Sequence, residues 1–163
     1  MYPRKANRHR LHDYSTPGYY YLTICIDDNE FKLSRIDNSK SILNDFGKII
    51  QMNLMTIPKV YSSIKLDEYI IMPDHIHCIL IITDNNYKTY DRTKMLLSNA
   101  IQQFKKISTM QIKEFGYRGK LWQRSFYDRI IRNERELYNV RKYIQENPLR
   151  YEIKNGYTDN LEL

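Results

Sequence analysis

Apolar and polar residues follow two spacings along the chain, one typical of strands and the other of helices. Runs rich in β-branched and aromatic residues predict strands, and apolar residues that recur every three to four positions predict helices. The predicted strands are Tyr19–Ile26, Leu66–Met72, His75–Thr83 and Trp122–Ile131. The predicted helices are Asn38–Ile57, Thr93–Phe115 and Asn133–Pro148. A short run, FKLSRI, is predicted to pair with the first strand.

Turn-forming and helix-capping residues set the limits of these elements. Pro58 is predicted to end the first helix, and a Pro-Asp pair joins the two middle strands in a hairpin. Asn133, with Glu136 three positions later, has the pattern of a capping box, and Pro148 is predicted to end the third helix. The order of elements is typical of an α+β fold, an antiparallel sheet with helices packed on it.

The sequence predicts one domain that spans residues 1–163. A chain of this length buries about two-thirds of the surface that its unfolded form exposes. Residues 1–12 are predicted to form a basic arm, and residues 151–163, which show neither period, a loosely attached tail. Because no apolar run reaches the length of a membrane span and the start lacks a secretory signal, we expect a cytoplasmic protein.

The charge of the chain bears on its partners. It has 26 Lys and Arg residues against 19 Asp and Glu residues, a formal net charge of +7. A basic surface attracts polyanions, which favours DNA or RNA without establishing either. The 15 tyrosines can stack on unpaired bases or fill a sheet, and the second use is the commoner one.

Two histidines in the segment MPDHIHCIL are candidates for a metal site. Side chains alternate along a strand, so His75 and His77 are predicted to share one face with their Cα atoms about 7 Å apart. Ile76 and Cys78 then face the core. An H-x-H pair arises by chance in about one sequence in ten of this composition, and two ordinary strand histidines are the alternative.

The third predicted helix places Tyr143 and Asn147 on one face, within about 40° of each other. Tyr143 lies at the edge of an apolar stripe, where it can meet the sheet and remain accessible. Tyr138 lies about 140° away from Tyr143 and is predicted to face solvent. The stripe consists of Leu137, Val140 and Ile144. The alternative is an ordinary edge tyrosine and a helix-ending asparagine.

Three motifs together resemble one known family. MPDHIHCIL, LWQRSFYDRIIRNE and YIQENP, in that order, are similar to the signature motifs of small single-tyrosine HUH transposases, including the relatives associated with repetitive extragenic palindromes. The segments DYSTPGYYYLTICI and LDEY are similar as well, so the resemblance covers most of the chain.

The resemblance implies a ferredoxin-like sheet, a homodimer and a specific chemistry. It implies that His75 and His77 bind a divalent metal, Mg²⁺ or Mn²⁺, that Asn147 completes the metal shell, and that Tyr143 is the nucleophile. The implied reaction cleaves and rejoins single-stranded DNA beside a hairpin through a 5′-phosphotyrosine intermediate.

Contacts with DNA are encoded less sharply. Basic residues can bind phosphate, and an indole ring can stack on a base. For each candidate, the alternative is an ordinary solvated surface residue that does not contact DNA. The candidates are Arg4, Arg8 and Arg10 of the arm, Lys105 and Lys106 of the second helix, and Trp122 and Arg124 of the last strand.

Other functions are compatible with parts of the pattern. A catalytically silent regulator that binds hairpin DNA would not need His75, His77 and Tyr143 together. An HUH replication initiator or conjugative relaxase shares the chemistry, but the short chain lacks a helicase region. A metal-dependent ribonuclease would leave Tyr143 without a role.

Overall fold

The centre of the fold is a four-stranded antiparallel sheet. A computed structural model of the chain describes residues 12–84 and 95–159, with side chains as far as residue 156. The elements in these ranges are β1 (Gly18–Cys25), β2 (Ser34–Asp37), β3 (Lys40–Leu43), α1 (Asp45–Val60), β4 (Ile64–Ile71), β5 (His75–Ile82), α2 (Leu96–Glu114), β6 (Tyr127–Ile131) and α3 (Glu134–Asp159).

The main sheet has the strand order β4-β5-β1-β6, and every neighbouring pair is antiparallel. Four strands and two helices thus follow the order strand, helix, two strands, helix, strand of a ferredoxin-like fold. The β2–β3 hairpin is inserted before α1, and α3 follows the last strand. The predicted α+β ferredoxin-like class is confirmed.

Different helices pack on the two faces of the sheet. Even-numbered residues of β1 and β5, such as Leu22, Ile24 and Cys78, are buried in a core with α1 and α2. Residues of opposite parity face α3. The smaller cluster on that side contains Ile79, Ile131, Leu137, Val140 and Ile144. The candidate residues of β5 therefore lie on the face that α3 covers.

The segment between β1 and α1 differs from the prediction. Part of FKLSRI forms β2, which pairs with β3 rather than with β1. Asn38 and Ser39 connect these strands with φ angles of 48° and 56°, as in the two-residue turns that join twisted hairpin strands. Helix α1 therefore begins only at Asp45, where the side chain of Asn44 accepts a hydrogen bond from the Gly47 N–H at 2.9 Å.

Neither proline ends its helix. Pro58 lies inside α1, two residues before the helix ends, and Pro148 lies inside α3. A proline removes one backbone hydrogen bond, but a contact beyond Pro148 holds the rest of α3. The Glu152 carboxylate accepts hydrogen bonds from the Ser39 N–H at 2.8 Å and from its hydroxyl at 2.7 Å. The predicted loose tail is consequently helical as far as Asp159.

The last strand is shorter than predicted. It begins at Tyr127, and Trp122 contributes only an isolated bridge to Ile26. The other predicted elements, β1, the β4–β5 hairpin and α2, are confirmed within a few residues. None of the helices in the described ranges has the length and hydropathy needed to cross a bilayer.

Candidate active site

His75 and His77 meet on the α3 side of the sheet. Their Nε2 atoms lie 3.1 Å apart, so the prediction that the two rings share a face is confirmed. His77 is 6% exposed, and the His75 side chain is 22% exposed. Two nitrogen lone pairs at this distance repel each other unless a hydrogen or a cation lies between them.

The Nδ1 atoms of both rings have oxygen partners. His75 Nδ1 lies 2.7 Å from Asp74 Oδ1. His77 Nδ1 lies 2.8 Å from the Tyr21 hydroxyl and 3.0 Å from the Thr23 hydroxyl. A neutral imidazole that donates its Nδ1 hydrogen to such oxygens has a free lone pair on Nε2. Partners of this kind orient histidines that bind metals.

The surroundings keep His77 neutral. Burial, followed by the neighbouring His75, lowers the pKa of His77 to about 3. Burial also raises the pKa of Tyr21 to about 12, so the hydroxyl beside His77 stays protonated at neutral pH. A neutral imidazole is the form that binds a cation.

The two Nε2 atoms fit two neighbouring positions in the coordination shell of a divalent ion. Neighbouring ligands of an octahedral ion with bonds of about 2.1 Å lie about 3 Å apart, which agrees with the 3.1 Å between the two Nε2 atoms. In the described ranges no group of three or more His, Cys, Asp and Glu side chains is placed to hold a metal. Further ligands would have to be amide oxygens, water or substrate.

Tyr143 packs against His77 and Tyr21. Its ring centroid lies 5.6 Å from that of His77 and 6.4 Å from that of Tyr21, in edge-on arrangements. Tyr143 is 41% exposed, so solvent and a substrate can reach it. Tyr138 is 65% exposed, which confirms its predicted solvent-facing position. The Arg150 guanidinium lies 5.6 Å from the centroid of the Tyr143 ring.

Polar contacts fix α3 across the sheet. Arg141 donates two hydrogen bonds of 2.8 Å to the Asp67 carboxylate, and the Gln145 amide donates one of 3.2 Å to Glu68. Both acidic residues lie in β4 where its register with β5 shifts, an irregularity that re-aims side chains. These contacts flank Tyr143 in sequence and hold its helix in place.

Asn147 lies one helical turn after Tyr143 and is 7% exposed. Its position on the buried side of α3 agrees with the prediction that it shares a face with Tyr143. Within residues 12–84 and 95–159, no hydrogen bond joins Asn147 to either histidine. Its role as a metal ligand stays a prediction.

The candidate DNA contacts are scattered. Trp122 is 6% exposed, packs on Phe104 and donates its indole N–H to Ser108, so the prediction that it stacks on a base is wrong. Lys105 donates to the backbone carbonyls of Gln123 and Ser125 at 2.9 and 2.8 Å, which gives its ammonium a structural contact.

Lys106 and Arg124 are exposed, but Lys106 belongs to α2 on the sheet face opposite the histidines. Arg4, Arg8 and Arg10 lie outside the described residues. The structure thus brings none of these candidates into contact with His75, His77 or Tyr143 in the part of the chain that it describes.

The family of this chain follows from its match to a known protein family. The model of the IS200-like transposase family matches residues 53–147, more than half of the chain. This chain belongs to the IS200-like transposase family. The matched range contains both histidines, Tyr143 and Asn147.

Two relatives of this IS200-like transposase come from Haemophilus influenzae. An uncharacterized protein is 28% identical over 172 residues, which cover 98% of this chain and 96% of that protein. A putative REP-associated tyrosine transposase is 28% identical over 154 residues, which cover 90% of this chain and 77% of that protein.

Among solved structures, a REP-associated tyrosine transposase bound to a REP hairpin has a similar fold. The TM-score is 0.65 at 16% sequence identity, and the match covers 88% of this chain and 73% of that chain. The family is therefore one of transposases, and the likeness at this identity supports the fold.

Proposed function

We propose that this transposase cleaves and rejoins single-stranded DNA beside a hairpin through a covalent bond to Tyr143. The observation that carries the proposal is the packing of an accessible tyrosine ring against His77, 5.6 Å between centroids. An accessible tyrosine that packs beside a pair of imidazoles with convergent nitrogens supplies the groups that a nucleophile and a phosphate-binding cation require.

In the proposed first step, Tyr143 Oη attacks the scissile phosphorus. The bond from phosphorus to the 3′ oxygen breaks, and a 5′-phosphotyrosine forms. The proton lost by Tyr143 balances the proton gained by the released 3′ hydroxyl. In the second step a 3′ hydroxyl of another strand attacks the phosphotyrosine and frees Tyr143. One phosphodiester is exchanged for another, so the two steps together need no ATP.

We assign the binding of a divalent cation, Mg²⁺ or Mn²⁺, to His75 and His77, with the Asn147 amide oxygen as a third ligand. Bound there, the ion would offset the negative charge of the phosphate oxygens and make attack by a tyrosine hydroxyl, by itself a weak nucleophile, feasible. Asp74, Tyr21 and Thr23 hold the two imidazoles with their Nε2 atoms directed at each other.

The remaining parts of the proposal concern partners. We propose a DNA hairpin with unpaired flanks as substrate, since the solved neighbour is a complex with a REP hairpin, and we place the reaction in the cytoplasm at the nucleoid. We also propose a homodimer, because β4 and β6 are the edge strands of the sheet in the described ranges. Tyr143 packs against His77 of its own chain, so such a dimer need not exchange α3. Light scattering at micromolar concentration tests the dimer, which requires twice the 19.8 kDa of one chain.

A covalent adduct tests the proposed function. The protein is incubated with Mg²⁺ and a labelled oligonucleotide that carries a hairpin and single-stranded flanks, and the mixture is run on a denaturing gel. A labelled protein band that disappears with EDTA supports the proposal. Tight binding without any adduct would instead identify a silent hairpin-binding regulator.

A further inference from the structure

We propose that an arginine-lined cleft between β6 and α3 binds the phosphate backbone of the single strand that leads away from the active site. This inference rests on the proposed function and deepens it, because it names a DNA-binding surface beyond the reacting groups. The cleft has a volume of about 500 Å³. It is lined by Arg129, Arg132, Asn133, Arg135, Glu136 and Asn139.

The sheet register connects this cleft with the active site. Thr23 of β1 pairs with His77 on one side and with Tyr127 of β6 on the other. In the next row Tyr21 pairs with Arg129. Directly opposed residues of antiparallel strands share a face, so Tyr127 and Arg129 lie on the same face as the histidines. Two strand spacings separate Tyr127 from His77, about 10 Å.

The charges of the cleft are only partly neutralised. Arg129 forms an ion pair of 2.6 Å with Glu136, and the other carboxylate oxygen of Glu136 accepts the Arg132 backbone N–H at 2.9 Å. The guanidinium groups of Arg132 and Arg135 are exposed and form no ion pair in the described ranges. Three arginines and one glutamate leave the lining with a formal charge of +2.

Phosphate is the ligand that suits this lining. A guanidinium group presents a planar fork of N–H donors that matches two phosphate oxygens, and the Asn139 amide adds a neutral donor to the same lining. The carboxylate in the lining, that of Glu136, is already engaged by Arg129 and the Arg132 backbone. Arg132 and Arg135 therefore remain available to an external anion.

Tyr127 favours a single strand over a duplex. It is 50% exposed and lies on edge strand β6, at the end of the row that contains His77 and one row before Arg129 of the cleft. An exposed aromatic ring gains stacking energy from an unpaired base, whereas the bases of a duplex are covered by their neighbours. A strand that leaves the active site along β6 would pass Tyr127 before its phosphates reach the arginines.

Charge reversal tests the cleft. The affinity of the full chain for a labelled single-stranded oligonucleotide is measured by fluorescence anisotropy between about 50 and 200 mM salt, a range over which counterion release changes affinity strongly. For R132E/R135E we expect at least about tenfold weaker binding, and a negative slope of log affinity against log salt whose magnitude is smaller by about 1.4, which corresponds to the loss of two phosphate contacts. R132K/R135K retains the charges and should retain most of the slope.

The matched control is K59E/K113E. It changes the net charge by the same amount on exposed positions of α1 and α2, on the opposite face of the sheet, so its slope should stay close to that of the wild type. R132Q/R135Q, compared by circular dichroism, replaces the reversal variant if that one does not fold, and should show about the same loss of slope.

The outcomes separate the two proposals. If the wild type forms the covalent adduct but R132E/R135E or R132Q/R135Q binds the single strand with unchanged affinity and slope, the cleft proposal alone is overturned. Loss of duplex binding with retained single-strand binding would assign the cleft to a stem and also overturn it. If the wild type neither binds single strands nor forms an adduct, both proposals fail.

Discussion

His75 and His77 direct their Nε2 atoms at each other across 3.1 Å, while Asp74 and the hydroxyls of Tyr21 and Thr23 lie on their Nδ1 atoms. In each imidazole, oxygen partners therefore orient Nδ1, and Nε2 faces the other histidine. The Nε2 atoms converge on the α3 side of the sheet, where the Tyr143 ring packs against that of His77. The proposed chemistry depends on that convergence.

Removal of either imidazole should abolish cleavage. In His77→Ala or His75→Ala, half of the histidine donor set is lost, so we expect cleavage to fall by at least about a hundredfold and Mn²⁺ to bind more weakly. Asn147→Ala should have a smaller effect because water can replace an amide oxygen. Cleavage rates and calorimetric Mn²⁺ titrations measure both effects. Undiminished cleavage by His77→Ala would remove the proposed metal role.

Tyr21 should act as a positioning residue. Tyr21→Phe removes the hydroxyl that lies 2.8 Å from His77 Nδ1 and leaves the ring, so we expect about tenfold or greater weakening of Mn²⁺ binding. The control is Tyr19→Phe on the same strand and face, which should bind Mn²⁺ like the wild type. Equal Mn²⁺ affinities for the two variants would show that the Tyr21 hydroxyl has no such role.

The Arg141–Asp67 pair should matter for both stability and rate. The side chains are 40% and 20% exposed, so solvent screening limits the expected loss for Arg141→Gln to about 1 kcal/mol in the free energy of unfolding. Cleavage should fall by more, up to about a hundredfold, because a small displacement of α3 moves Tyr143 from the histidines.

Urea denaturation and cleavage rates test this prediction. Arg35→Gln is the control, since its ion pair with Asp37 is 3.8 Å long and its side chain is 71% exposed. A variant of Arg141 that loses stability but cleaves at the wild-type rate would contradict the proposed placement of α3 by this pair.

The parts of the site that depend on local geometry could be predicted from the sequence. Alternation along one strand places His75 and His77 on one face, and helical periodicity places Tyr143 beside an apolar stripe with Tyr138 in solvent. These relationships involve neighbours within one element. They hold wherever the element packs, so no knowledge of the rest of the fold is needed.

The parts that depend on contacts between distant segments were missed or wrong. The Nδ1 partners of His77 come from β1, and only the register between β1 and β5 brings Tyr21 and Thr23 beside it. The helix beyond Pro148 is held by Glu152 and the β2–β3 turn, which outweighs the local effect of proline. Trp122 is buried because α2 packs over it through Phe104.

The most direct measurement is identification of the residue that carries the DNA. Wild-type protein, Tyr143→Phe and Tyr138→Phe are incubated with Mg²⁺ and the flanked hairpin oligonucleotide, and the adduct is digested and mapped by mass spectrometry. The Phe substitution removes one oxygen from a ring that packs on His77 and Tyr21, so folding and DNA binding should survive. We expect a 5′-phosphotyrosine at residue 143 in the wild type and in Tyr138→Phe, and no adduct in Tyr143→Phe. An adduct that persists in Tyr143→Phe, mapped to another tyrosine, would contradict the account.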